Sequence, residues 1–186
     1  MPIFTTSLRP GTGIPSGKHG GIIQVESAKK TDTFITASTT FVDVPGLAVT
    51  ITPHSSNSKI LVSISLSICG DYFASYARII RARSGQSDVE LFTGAAAGSR
   101  PVSAICMTGD NSILDSHGQI FLVHRQFIDE PGTDQELTYK IQSSGRPDGG
   151  GNASNSSRIN YSVPDRDTNS YDARQASEIM VMEVSG

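Results

Sequence analysis

Apolar residues in this chain recur mostly at every second position. The clearest case is KILVSISLSIC, where Ile60, Val62, Ile64, Leu66 and Ile68 fall on one side and Ser63, Ser65 and Ser67 on the other. A helix would scatter those apolar residues round its circumference, so the alternation predicts a strand. LAVTITP places Leu47, Val49 and Ile51 on one face, and ELTYKIQS turns Leu137, Tyr139 and Ile141 inward. In GIIQVES, Ile23 and Val25 alternate with polar neighbours. QIFLVHRQFID is apolar on both faces, with Phe121, Val123 and Phe127 on one and Ile120, Leu122 and Ile128 on the other. That pattern implies burial on both sides or a contact with another subunit. SEIMVMEV is also apolar on both faces and is predicted to be a central strand. YARIIRAR fits a strand better than a short helix, and DVELF, PVSAICM and SRINYSV add short strands.

These nine or ten strands are separated by turn-forming stretches such as PHSSNS and EPGTDQ. There is no long helical periodicity and no internal repeat. The prediction is an all-β fold, an antiparallel jelly-roll-like β-sandwich, as a single domain over residues 21–186. Residues 1–20 break the pattern with three prolines and four glycines. They exclude a helix or a central strand and leave an extended N-terminal arm or a disordered tail. As an arm, the segment would tie one subunit to a neighbour through Ile3, Phe4 and Leu8.

Composition narrows the function classes. Hydrophobic residues make up 37% and charged residues 18%, with a net charge of −3. A disordered chain would combine few apolar residues with a high net charge. General nucleic-acid binding needs a basic surface, which this balance does not supply. No apolar run approaches the roughly 18 residues of a membrane-spanning helix, and the N-terminus lacks the apolar core of a signal peptide. The expectation is a protein made in a cytoplasm, with neither nucleic acid nor membrane as partner. Cys69 and Cys106 lie in or beside apolar stretches and are expected as two buried free thiols rather than one disulfide.

The motif search finds little catalytic chemistry. GTGIPSGKHG resembles a phosphate loop only briefly: Thr12 stands where the first glycine is required, and His19 where a Ser or Thr is required. Asp115, Ser116 and His117 have the residue types of a hydrolase triad, but neighbouring side chains in an extended segment diverge, and no nucleophile elbow is present. No histidine pair has zinc-site spacing. No cofactor is expected. Asp165, Asp167, Asn169 and Asp172 alternate oxygen ligands on a loop, as calcium would require, though Ser170 and Ala176 break the EF-hand pattern. A solvated loop is the competing reading. Asn152, Asn155 and Asn160 begin N-x-S/T triplets that read as chance matches in a Ser-rich region. Two long polar loops carry Arg146, Tyr161, Tyr171 and Arg174, a candidate recognition surface on a rigid scaffold.

Two motifs carry a resemblance. Val42, Asp43, Gly46, Leu47, Val49, Ile51, Thr52 and Pro53 lead through a Ser/Asn turn into Ser58–Val62. Later, Asp129, Pro131, Gly132 and Thr133 precede Thr138, Tyr139, Lys140, Ile141 and Gln142, and a last strand carries Glu183. Over roughly residues 21–186 this is similar to bacteriophage virion proteins of the tail-fibre and capsid-decoration β-sandwich type, found in marine and cyanobacterial phages. The resemblance implies a homotrimer located in the virion after assembly in the host cytoplasm. It contributes no catalytic residues. Because no shaft repeat or coiled-coil heptad accompanies the sandwich, the expected role is a non-enzymatic capsid decoration (cement) protein or short knob. Its partners would be copies of itself and other virion proteins, such as major capsid or tail proteins. The alternative is a receptor-binding tail-fibre tip that recognises a host surface glycan; a polysaccharide depolymerase is the third and weakest reading.

Overall fold

The structure, a computed structural model, describes residues 21–70, 75–107, 120–145, 156–162, 165, 167 and 172–186. Ile3, Phe4, Leu8, Arg146, Asn169 and Tyr171, and the Asp115–Ser116–His117 run, lie outside the described residues. The described strands are β1 (Ile22–Lys30), β2 (Phe34–Thr36), β3 (Val42–Ile51), β4 (Lys59–Gly70), β5 (Ser75–Ala82), β6 (Val89–Leu91), β7 (Ile105–Met107), β8 (Phe121–Asp129), β9 (Leu137–Ser144), β10 (Ser157–Ile159) and β11 (Ser177–Val184).

They form two antiparallel sheets packed face to face. In the first sheet β1 pairs β11, β11 pairs β4, and β4 pairs β8. The short β10 and β2 extend this sheet beside the last residues of β4. The second sheet runs β3-β9-β5, with β6 and β7 both on β5. Most of the long strands are followed by a strand of the opposite sheet, so the fold is an all-β sandwich. Apart from the β5–β6 hairpin, strands that pair within a sheet are far apart in sequence, and β1 pairs with the last strand of the chain.

The alternation read from sequence decides which residues fill the space between the sheets. Ile60, Val62, Ile64, Leu66 and Ile68 of β4 are buried there with Leu47, Val49 and Ile51 of β3, and with Leu137, Tyr139 and Ile141 of β9. β11 is central, as its two apolar faces predict, and adds Ile179 and Val181. Gly46 takes a left-handed conformation at φ +83, inside the irregular stretch of β3 between Asp43 and Ala48. Only a residue without a Cβ adopts that conformation cheaply.

Two expectations are corrected here. The two cysteines form no disulfide, but only Cys69 is buried; Cys106 is exposed, on a three-residue strand with β5 as its one described partner strand. β2 is a strand that the Thr-rich segment did not suggest, since three residues are too few for a period to show.

Candidate assembly face

Several polar groups inside the sandwich are engaged with one another. Asp129, at the end of β8, accepts two 2.7 Å hydrogen bonds from Arg81 Nη1 and one of 2.7 Å from the Tyr139 hydroxyl. This cluster joins the first sheet to the second. Burial of Tyr139, then its hydrogen bond to Asp129 and that group's charge, push the phenol pKa up and keep it protonated. Gly132, at φ +64, and Thr133, whose hydroxyl accepts the Gln135 N–H, shape the turn that follows.

Glu183 of β11 is fully buried at one end of the first sheet. Its carboxylate accepts Gln24 Nε2 at 2.6 Å and the His54 N–H at 2.7 Å, and His54 Nδ1 lies 2.8 Å away. Burial raises its pKa, but the hydrogen bonds from His54 and Gln24 oppose that, and the balance lies down at about 2. The carboxylate thereby ties β1 and the β3–β4 turn to β11.

Asn160, just past β10, is a second junction. Its side-chain N–H groups donate to the carbonyls of Lys30 and Asp32 at 3.0 and 2.9 Å, and its Oδ1 accepts the Ser177 hydroxyl at 2.6 Å. It is fully buried at φ +68, a conformation Asn tolerates better than most residues. The Asn160 triplet is therefore a packing site.

The outer faces of the two sheets differ in chemistry. On the second sheet, Lys140 bonds Asp43 at 3.1 Å and lies 3.4 Å from Asp88. Gln142 donates to Asp43, Arg78 donates to Gln142 at 2.8 Å and pairs with Glu90, and the Arg78 guanidinium covers the Phe41 ring. This face is a mesh of paired charges.

The first sheet's outer face is graded. Near the start of β1, register aligns Val25, Met182, Leu61 and Ile128 in one row across four strands. Ile22 pairs with Val184 beside it, and a register shift leaves Ile23 exposed as well. Exposure is 60% at Ile22, 49% at Val25 and 50% at Ile128, so the row is open to solvent. One step along lie Ser27, Met180, Ser63 and Gln126, and the next row is Lys29, Glu178, Ser65 and His124. Over these three rows the face passes from apolar to polar; the Lys59–Glu130 ion pair flanks the apolar row, and the exposed Leu122 lies beyond the polar ones. Period-two reading paired Ile23 with Val25 but could not say which way they face. For β8 it offered burial on both sides or a subunit contact; Leu122 and Ile128 are exposed in the single chain.

Of the recognition and calcium candidates, Tyr161, Arg174, Asp165, Asp167 and Asp172 are among the described residues. Tyr161 is buried, with the Arg158 and Arg174 guanidiniums each 5.3 Å from its ring centre, so it is not part of an adaptable surface. Position right after β10 brings the ring under these two side chains. Arg174 is bound to Asp165 at 2.6 Å, and Asp172 accepts the Ser162 hydroxyl at 2.6 Å. Asp167 is exposed. Among the described residues no group of three or more His, Cys, Asp or Glu side chains converges as a metal site would. A cleft of about 640 Å³ opens between the β5–β6 turn and the β8–β9 loop, lined by residues that include Ala82, Arg83, Gln86, Gln135, Glu136 and Thr138. Neither a protein-family model nor a curated protein matches the chain.

Proposed function

We propose that this chain is a non-enzymatic virion subunit that acts by associating with copies of itself, as a homotrimer, and with other virion proteins. The role is that of a capsid decoration protein or short knob. The virion setting rests on the sequence resemblance. The assembly reading rests on one observation: a four-strand apolar row on the outer face of one sheet, against a charge-paired face on the other. The largest exposed apolar patch of a protein is often a site of association, above all where polar residues rim it. Alternation in these strands is strong enough to place serines outward, as Ser63 and Ser65 show, so the apolar row is not a failure of patterning.

Sedimentation of the purified chain at micromolar concentration should give a trimer mass. Ile128→Asp and Val25→Asp should each return it to monomer mass with the melting temperature little changed, because both side chains are half exposed. A wild-type chain that sediments as a monomer would overturn the reading. Copy number per particle then separates roles: hundreds place the protein on a capsid, a few dozen on a tail.

A further inference from the structure

We propose that the apolar end of the first sheet's outer face receives residues 1–20 of an adjacent copy. The inference rests on the assembly reading above and names what covers the row. Twenty residues precede Gly21, whose carbonyl accepts the Ser185 N–H at the very end of the sheet where the apolar row lies. The segment's apolar anchors Ile3, Phe4 and Leu8 are at its far end, and Arg9–Gly20 separates them from the sheet. Those twelve residues reach up to about 40 Å when extended, at about 3.3 Å each. The row across four strands spans only about 15 Å, at about 4.8 Å per strand. A spacer of that length can carry the anchors past the chain's own row, which begins at Ile22 and Val25, as far as a neighbour's.

Chemistry agrees with the geometry. Residues 1–20 carry Arg9, Lys18 and His19 and no acidic residue, while the whole chain has a net charge of −3. The remainder is therefore acidic, and the segment complements it. Pro2, Pro10 and Pro15 each lack a backbone N–H, which disfavours pairing as an added strand along the side of β8 away from β4 and favours side-chain contact across a face.

The test uses the full chain. Ile3→Asp, Phe4→Asp and Leu8→Asp combined should convert the oligomer to monomer mass, as Ile128→Asp does, with the melting curve retained. In a Cys106→Ser background, chains carrying Phe4→Cys are mixed with chains carrying Ile128→Cys and treated with a short bis-maleimide. A cross-linked dimer should form in the mixture and fall at least tenfold in either population alone. If the triple variant still assembles, this inference fails while the assembly reading stands. If a chain carrying both cysteines cross-links only within itself, the segment covers its own sheet and the inference is overturned. If the wild-type chain is monomeric, both fail.

Discussion

Glu183 illustrates how one buried side chain sets the response of the molecule to acid. Its folded pKa, about 2, lies below the ordinary 4.5. A depressed carboxylate contributes stability that is fully present above the unfolded value and lost as pH falls through the folded one. The shift corresponds to on the order of 3 kcal/mol, lost between about pH 4.5 and pH 2. Denaturant unfolding from pH 7 down to pH 2.5 should show this loss in the wild type, and Glu183→Gln should flatten it while lowering stability at pH 7. Asn160 allows a sharper comparison. Asn160→Ala strands two carbonyls and one hydroxyl, at about 2–4 kcal/mol. Asn160→Asp should cost more, because a carboxylate would face the Lys30 and Asp32 carbonyls that the amide now satisfies. Equal melting temperatures for the two variants would contradict the hydrogen-bond assignment. None of this was legible in sequence: His54 and Glu183 are 129 positions apart, and Asn160 read as a chance triplet.

At the scale of elements, β4 is the strand around which the first sheet is built, paired with β8 on one side and with β11 and β10 on the other. Its inward residues were legible because alternation there is unbroken. Ile64→Ala should cost about 2–5 kcal/mol, the range for deleting a buried isoleucine side chain. Ile128→Ala, on the neighbouring strand but facing outward, should change monomer stability by less than about 1 kcal/mol. Comparable losses at the two sites would mean the faces of β8 have been assigned the wrong way round. Alternation gives the relative face of two residues and not its direction, which is why Ile23 and Val25 could be paired but not oriented. The β1–β11 register supplies what was missing. A burial pattern set by long-range partners also explains Tyr161: a tyrosine beside polar loop residues carries no local sign that two arginines will enclose it.

For the whole molecule, the sandwich, its central last strand and its core were readable because they depend on period-two patterning, which is local. The asymmetry between the two outer faces was not, because it depends on which strands become neighbours. Paired surface charges contribute little stability individually, typically less than about 1 kcal/mol each. The mesh on the second sheet therefore matters more for keeping that face wetted. Under the assembly reading, raising salt should leave the oligomer intact, since its contact is apolar, and moderate salt added during sedimentation checks this. Dissociation by salt alone would point to the charged face instead.

The gradient on the first sheet has a geometric consequence. Its apolar row lies at one end, and the rows that follow become polar within the length of a few residues. Copies that cohere through such a face are held together at one end and hydrated at the other. Three of them would splay like the legs of a tripod, with Gly21 and Ser185 gathered at the apex and the Lys29 and His124 ends spread apart at the base.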